Sequence, residues 1–145
     1  MIVFETDRLL LRNFIASDLT DLFHVMKNSE SSALGGWKNL ETQEESQMLL
    51  EKYVQEDETF AIQLKDIPKV IGFVKLTINN NKGTNIARSV SYILAEEYWG
   101  SGYMTEAVTR IIRYVFEQLK IDMLTAWHYP ENIASKRILE KCGFE

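Results

Sequence analysis

The chain has 145 residues, of which 46% are hydrophobic and 26% are charged, a composition typical of one soluble globular domain over residues 1–145. Its net charge of −5 argues against a protein held on nucleic acid or on an anionic membrane by bulk charge. Cys142 is the only cysteine, which excludes an internal disulfide and a cysteine-based metal cluster. The chain start is too short for a signal-peptide core, and no apolar run approaches the roughly 20 residues of a membrane span. We therefore expect a cytoplasmic protein without a metal site, in which Cys142 is a small buried hydrophobe.

The first half of the chain predicts a strand followed by two helices. Residues 8–12 have the composition of a short first strand. Ser17 or Asp18 is a candidate N-cap for a helix whose apolar side chains recur at i, i+3, i+4 and i+7, namely Leu19, Leu22, Phe23 and Met26. A polar loop follows at residues 28–36. Thr42 and Glu45 then have the spacing of a capping box, which predicts a second helix from this point.

The second half predicts three strands, a long helix, a fourth strand and a final helix. The strands are expected at residues 60–64, 70–78 and 86–94, and Gly72 marks a possible bulge in the middle one. A helical pattern covers residues 103–119, a strand pattern residues 122–128, and a final helix residues 132–142. Gly143 and Phe144 fit a Schellman ending of that helix.

This order of elements predicts a mixed sheet. Short loops join the middle strands, which should therefore pair antiparallel. The strands on either side of the long helix are joined by a helical crossover, so they should run parallel with a right-handed connection. The predicted fold class is α+β, with three layers and helices on both faces of a mostly antiparallel sheet.

The stretch from Trp99 to Thr105 joins a strand to a helix through two glycines. Helix N-termini offer unpaired N–H groups and a favourable dipole to anions, and glycines let a phosphate approach the backbone closely. A P-loop would need Lys-Ser or Lys-Thr after the glycines, and none is present. A dinucleotide site would need Gly or Ala at Thr105, and it would need an acidic residue at a strand's end, whereas Asp122 starts its strand. The pattern indicates a diphosphate site of neither kind.

Residues 99–107, Trp-Gly-Ser-Gly-Tyr-Met-Thr-Glu-Ala, resemble the acetyl-CoA-binding motif of the GNAT N-acetyltransferases. The most similar branch is typified by the ribosomal-protein N-terminal acetyltransferases (RimJ/RimL-like). Residues 6–12, Thr-Asp-Arg-Leu-Leu-Leu-Arg, resemble the opening signature of that branch. Asn132-Ile133-Ala134-Ser135 and the later Gly143-Phe144 resemble its closing Asn-x-x-Ser and Gly-Phe elements. The resemblance covers nearly the whole chain.

The resemblance implies a binding site for acetyl-CoA as co-substrate. The strands at residues 89–94 and 122–128 would splay apart, and the pantetheine arm would enter the gap beside Tyr92, Ile93 and Leu94. Trp99 fills the family position that precedes the glycines. The diphosphate would be bound by backbone N–H groups of five residues together with the Thr105 hydroxyl; the five are Gly100, Ser101, Gly102, Tyr103 and Met104. Asn132 would lie near the pantetheine, and Ser135 would approach the sulfur and return a proton to the leaving thiolate.

The chain also departs from the family pattern. Met104 replaces a small residue and is expected to crowd the turn. The strand before the turn lacks the branch's glutamate, so the general base would be Glu96, Glu97 or water, while His24 and His128 are expected to be structural or exposed. The chain ends at Glu145, where family members continue into further strands. The sheet would therefore lack its last strands, and its open edge could pair with a second copy in a homodimer.

The resulting prediction is an enzyme that transfers acetyl from acetyl-CoA to a primary amine, either a protein N-terminus or a small molecule, by direct attack. Two alternatives remain open. One is a non-catalytic acyl-CoA-binding or partner-binding domain with an incomplete active site, and the other is an interaction module that dimerises through the open edge. The acceptor would be selected by the loop at residues 28–40, where Trp37 could line its pocket, and such loops carry no readable code.

Overall fold

A computed structural model describes residues 3–27, 40–78, 87–118, 123–126 and 133–144. The strands are β1 (Val3–Glu5), β2 (Leu9–Asn13), β3 (Thr59–Leu64), β4 (Val70–Ile78), β5 (Ala87–Leu94) and β6 (Met123–Ala126). The helices are α1 (Leu19–Met26), α2 (Gln43–Val54), α3 (Tyr103–Glu117) and α4 (Ile133–Lys141), with single 3₁₀ turns at Ala16–Asp18 and Glu96–Tyr98. None of the described helices is long and apolar enough to cross a membrane.

The described strands form one six-stranded sheet in the order β1-β2-β3-β4-β5-β6. Neighbours from β1 to β5 are antiparallel, and β6 is parallel to β5. The helix α3 connects these last two strands, as a parallel crossover requires. The predicted mixed, mostly antiparallel α+β sheet is confirmed.

Helices cover both faces of the sheet, which alternation along the strands makes possible. On one face α3 and α4 pack over a core that contains Phe60, Ile62, Val74 and Val90. On the other face α1 and α2 pack over a core that contains Phe14, Ala61, Phe73 and Ile93. The buried side chains of α3 recur at helical spacing and face the core: Met104, Ala107, Val108, Ile111, Tyr114 and Val115.

The N-terminal region differs from the prediction in two ways. The first predicted strand begins at Leu9 rather than at Arg8, and it pairs with β1, which the sequence did not reveal. Asp18 stands at the N-cap of α1 without capping it through its side chain. Its carboxylate instead accepts hydrogen bonds from the Arg12 guanidinium at 2.9 Å and from the Ile15 N–H at 2.8 Å. This buried ion pair fixes the chain between β2 and α1.

Two predicted end signals are confirmed. The Thr42 hydroxyl accepts the Glu45 N–H at 3.2 Å, and the Glu45 carboxylate accepts the Thr42 N–H at 3.2 Å. At the end of α4 the Phe144 N–H donates to the Leu139 carbonyl at 3.0 Å, and the Gly143 N–H donates to the Glu140 carbonyl at 3.1 Å. These are the two bonds of a Schellman motif, with Gly143 at φ +91°.

The strands β4 and β5 leave no room for a side chain at Gly72. A Cβ at this position would lie 2.2 Å from the Ile93 carbonyl oxygen, so only glycine fits there. The predicted bulge is next to it, because Ile62 pairs with Gly72 whereas Gln63 pairs with Val70. The close contact also shows that the Ile93 carbonyl points toward β4.

The pairing of β5 with β6 extends into the segment in which the two strands were expected to splay. Ser89 pairs with Thr125 and Val90 pairs with Ala126, so the two strands are still joined there. The described pairing ends at Val90, while β5 continues to Leu94. Any separation of the strands therefore starts beyond Val90, where the partner residues 127 and 128 lie outside the described part of the chain.

Candidate functional site

The turn at residues 100–102 lies between the 3₁₀ turn that follows β5 and the start of α3. Gly100 has φ +84° and Gly102 has φ +82°, in the left-handed region that favours glycine. All three residues of the turn are exposed. The turn is therefore an open, glycine-lined approach to a helix N-terminus, and a diphosphate fits such a surface.

The first turn of α3 presents its N–H groups to this approach. The first intrahelical bond runs from the Glu106 N–H to the Gly102 carbonyl at 3.0 Å. The N–H groups of Tyr103, Met104 and Thr105 precede that bond and have no acceptor within the helix. They carry the partial positive charge of the helix dipole. Anion binding at this point needs no charged side chain.

Met104 does not crowd the turn. Its side chain is 2% exposed and belongs to the core beneath α3, so only its backbone faces the site. The expectation of crowding was wrong because the helix directs this residue inward, at the first position of the buried stripe. Thr105, the next residue, is half-buried.

Trp99 ties the turn to the end of β5. Its indole N–H donates to the Leu94 carbonyl at 2.9 Å, and 38% of the residue remains exposed. This hydrogen bond joins the two ends of the segment between β5 and the glycines, which contains the 3₁₀ turn at Glu96–Tyr98. This hydrogen bond gives Trp99 a structural role at the site, beside the glycines.

The end of β5 presents backbone groups toward β6. Successive residues of a strand direct their N–H and carbonyl groups to opposite edges. The Ile93 carbonyl and the Ala95 N–H both point to β4, the latter bonding to the Ile71 carbonyl at 2.9 Å. Tyr92 and Leu94 therefore direct theirs to the β6 side, beyond the last described pair of the two strands.

Arg8 connects the turn to the opposite end of the sequence. Its Nε donates to Glu106 Oε1 at 2.8 Å, its backbone N–H to Glu106 Oε2 at 3.0 Å, and its Nη1 to the Ser101 carbonyl at 2.8 Å. The Thr6 hydroxyl also donates to Glu106, and the guanidinium lies over the Tyr103 ring, 4.3 Å from its centroid. We call this group of contacts the Arg8 clasp.

The clasp changes the acidity of Glu106. Burial acts to raise the pKa of this carboxyl and is the largest single influence. Hydrogen bonds from Thr6 and Arg8, together with the Arg8 charge, outweigh burial, so the pKa lies below its ordinary value. The carboxylate is thus charged at neutral pH, as its ion pair with Arg8 requires. The sequence carries no local signal for this contact, because Arg8 and Glu106 are 98 positions apart.

Glu97 is paired with His24. The imidazole Nε2 lies 2.9 Å from Glu97 Oε2, and the pair links α1 to the 3₁₀ turn before the glycines. The hydrogen bond from His24 is the largest influence on Glu97 and lowers its pKa below the usual value. Glu97 is therefore a weaker base than an ordinary glutamate. His24 has a structural contact, as expected.

Several predicted residues are outside what the structure describes. Asn132, His128 and Trp37 fall in undescribed stretches, and Ser135 lies in the first turn of α4 with its side chain undescribed. Cys142 is described and half-buried rather than fully buried. Its Sγ is 3.6 Å from the Thr109 hydroxyl and 3.8 Å from the Thr105 carbonyl, and burial raises its pKa. A metal ion in a protein is usually held by several His, Cys, Asp or Glu side chains. Among the described side chains, no three or more of these lie close enough together to bind one.

Comparison with known proteins gives consistent results. The profile of the acetyltransferase (GNAT) domain matches residues 8–145. The Uncharacterized N-acetyltransferase YoaA of Bacillus subtilis is 26% identical, over 99% of this chain and 82% of that protein. The Probable N-acetyltransferase YjcK of the same species is 32% identical, over 88% of this chain and 67% of that protein. The crystal structure of the ribosomal-protein-S5-alanine acetyltransferase from Vibrio fischeri matches with a TM-score of 0.83 and 26% identity, over 100% of this chain and 84% of that one.

Proposed function

Because this chain belongs to the GNAT acetyltransferase family and is an acetyl-CoA-dependent N-acetyltransferase, we propose that its turn from Trp99 to Thr105 binds the diphosphate of acetyl-CoA. The observation that carries this proposal is the pair of exposed, positive-φ glycines at the start of α3. The backbone there can approach a phosphate without side-chain obstruction, and the helix N-terminus supplies donors and partial charge.

The rest of the site follows the direction of β5. The backbone of Tyr92 and the N–H of Leu94, which point toward β6, would take the pantetheine arm, whose amides need donors and acceptors along an extended path, while the Leu94 carbonyl is bonded to the Trp99 indole. The side chain of Ile93 is buried in the core under α1 and α2, which fixes β5 in place. Asn132 would contact the pantetheine, and Ser135 would approach the sulfur.

Acetyl-CoA supplies an activated acyl group as a thioester. The acceptor must arrive as a neutral amine, whose nitrogen bonds to the acyl carbon while the carbon–sulfur bond breaks. The amine loses a proton to the general base, the thiolate gains a proton from the Ser135 hydroxyl, and Ser135 recovers its proton from water. Glu97 is a weak base because its pKa is lowered by His24. Glu96 and water are therefore the proposed general bases. No covalent acyl-enzyme is needed.

The acceptor is proposed to be a primary amine, either a protein N-terminus or a small-molecule amine. The relation to a ribosomal-protein acetyltransferase favours testing N-terminal amines first. A homodimer through the outer edge of β6 also stays a proposal, and light scattering that shows only monomers would contradict it. A cytoplasmic location stays a prediction from the composition.

The test is a panel of acceptors with release of the CoA thiol as the readout. The panel contains peptides with N-terminal alanine or serine, polyamines, and N-terminally acetylated copies of the same peptides as controls. We expect thiol release with at least one free amine and none with the acetylated copies. Calorimetry with CoA gives an independent reading, and no binding at millimolar concentration would contradict the proposal. CoA binding without turnover on any amine would instead favour the non-catalytic alternative, to which the comparisons give no support.

The Ser135→Ala variant tests the proposed proton donor. We expect kcat to fall about a hundredfold, the lower end of what positioned acid–base groups contribute, while the Kd for CoA is unchanged. Ser101→Ala is not a suitable control because it alters the proposed diphosphate turn. Ser46→Ala is suitable, since Ser46 is buried on α2, away from the turn.

A further inference from the structure

The turn at residues 100–102 is held from outside by a side chain that the acetyl-transfer chemistry does not use. Arg8 lies immediately before β2, at the far end of the sequence from α3. One guanidinium nitrogen, Nε, bonds to the carboxylate of Glu106, and another, Nη1, bonds to the carbonyl of Ser101. Arg8 is 42% exposed at its side chain, whereas Glu106 is 20% exposed. Glu106, the less exposed of the two, lies on α3. Arg8 bonds to it and to Ser101, and so links the turn to the helix.

We propose that Arg8 is a positioning residue for the diphosphate of acetyl-CoA, because it fixes the direction in which the backbone of the turn presents its N–H groups. This inference rests on the proposed function of the turn. It adds a residue that touches neither the acyl group nor the reacting amine.

The planarity of the peptide bond carries the argument. In a trans peptide the N–H of one residue points opposite to the carbonyl of the residue before it. The Ser101 carbonyl is directed toward Arg8 at 2.8 Å, so the Gly102 N–H points away from Arg8. The Gly102 carbonyl is held by the Glu106 N–H at 3.0 Å, so the Tyr103 N–H also points away from the helix body. Gly102 has the left-handed conformation (φ 82°, ψ 7°) directly before the helix, and successive N–H groups in such a conformation form an anion-binding nest.

Glu106 is the common anchor of both peptide planes. Its backbone N–H holds the Gly102 carbonyl directly, and its carboxylate holds Arg8, which holds the Ser101 carbonyl. Without Arg8 the peptide between Ser101 and Gly102 could rotate, since Gly102 on its C-terminal side tolerates many backbone conformations. The turn would then have to be ordered at the moment of binding, and that ordering weakens affinity.

The planar fork of arginine is essential to this role. Nε and Nη1 reach two acceptors at once, and the ring of Tyr103 lies against the guanidinium face. A lysine carries the same charge on a single nitrogen and cannot reproduce the planar fork. Because the Glu106 carboxylate already neutralises the arginine, we assign the effect to orientation rather than to attraction of the phosphates. Arg8→Lys therefore separates the two explanations.

The experiment measures CoA binding by calorimetry for wild type, Arg8→Ala, Arg8→Lys and the control Arg113→Ala. Arg113 is a matched arginine, since it forms an exposed ion pair with Glu117 on the same helix and has the same charge. We expect the Kd for CoA to rise about tenfold in Arg8→Ala and nearly as much in Arg8→Lys, as for the loss of a charge-assisted hydrogen bond. We expect it to stay within about twofold in Arg113→Ala. Thermal melts confirm that each variant is folded at the temperature of measurement.

Kinetics add a readout that loss of stability would not produce. In Arg8→Ala the KM for acetyl-CoA should rise with kcat nearly unchanged. The kcat/KM for S-acetyl-pantetheine, which lacks the diphosphate, should stay as in wild type. Equal losses with both thioesters, or wild-type CoA affinity in Arg8→Ala or Arg8→Lys, would overturn the inference while leaving the proposed function intact. Absence of CoA binding by wild type would overturn the proposed function, and this inference with it.

Discussion

The backbone of Gly100 is constrained by its conformation and not by space. Its φ of +84° is one that residues with a Cβ adopt only at a cost of roughly 1 kcal/mol or more, yet no atom lies within 4 Å of a Cβ added there. Gly102 has a similar φ, of +82°, but the space beside it is limited. A Cβ at this position would lie 3.4 Å from Arg8 Nη2. Substitution at Gly100 therefore probes the backbone of the turn without disturbing the clasp directly.

Gly100→Ala and Gly143→Ala form a matched pair for testing this turn. Gly143 has φ +91° and equally open space around its Cβ position, but it ends α4 rather than leading into α3. We expect each variant to lose roughly 1 kcal/mol of unfolding free energy, since the strain is alike. Only Gly100→Ala should weaken CoA binding, about tenfold, because it alone displaces backbone donors at the diphosphate site. Urea unfolding and calorimetry check the two parts, and equal CoA affinities in both variants would contradict the role of the turn.

Between elements, the Arg8 clasp joins the corner between β1 and β2 to the first turn of α3. Thr6 and Arg8 belong to that corner, and both bind the same carboxylate of Glu106. A carboxylate near a helix N-terminus is also favoured by the dipole. The clasp is thus a polar link at the edge of the apolar core to which both Leu9 and Met104 belong.

The clasp should make stability depend on pH through Glu106. A group whose pKa is lowered in the folded state contributes stability above its ordinary pKa, near 4.5, and loses it as the pH falls through the lowered value. We expect Glu106→Gln to cost about 1 kcal/mol of unfolding free energy at pH 7 and progressively less as the pH falls below 4.5.

Urea unfolding of both proteins from pH 7 to pH 3 measures this difference. Glu117→Gln is the control, because its carboxylate pairs with Arg113 at 3.4 Å on the same helix but is largely exposed. Its effect should be small at every pH. A Glu106→Gln difference that stays constant down to pH 3 would show that the clasp acts through packing rather than through charge.

The elements with strong local signals were predictable, and those that depend on distant partners were not. The helical periodicity of α3 and the capping box at Thr42 each depend only on residues close together in the sequence. The structure confirms the helix and the capping box. The three-residue strand β1 has no period to detect and exists as a strand because β2 pairs with it. Asp18 offered an ordinary cap signal, yet its carboxylate is used by Arg12, since an ion pair across the chain competes with the local bond.

The same division applies to the site. The glycines and the helix start identified the turn, because backbone chemistry there is encoded by adjacent residues. The partner of Arg8, 98 positions away, could not be inferred from spacing. Met104 was expected to crowd the turn, without blocking contacts to its N–H groups, because the sequence alone does not say which way the first residues of a helix face. The structure turns its side chain into the core.

At the scale of the molecule, one sheet separates two helical layers and is shared by both cores. Phe73 is fully buried on the face of α1 and α2, where its ring contacts Phe14 and Tyr53 at centroid distances of 5.8 and 5.2 Å. Its neighbour Val74 is buried on the face of α3. Loss of either layer would expose one apolar face of a strand that the two layers share. This coupling leads us to propose that residues 1–145 unfold as one domain.

Phe73→Leu tests that proposal together with CoA binding on the opposite face. The substitution removes buried ring contacts, and we expect it to lower the unfolding free energy by about 1–2 kcal/mol. If the molecule is one cooperative unit, far-UV circular dichroism and tryptophan fluorescence should report the same urea midpoint in the variant. A ligand that binds only the folded state adds about 2.7 kcal/mol at 100 times its Kd. CoA should therefore raise the stability of wild type and of Phe73→Leu by this same amount, since the substitution lies away from the turn. Separate midpoints for the two probes, or a CoA increment that is lost in the variant, would show that the layer of α1 and α2 unfolds independently of the diphosphate site.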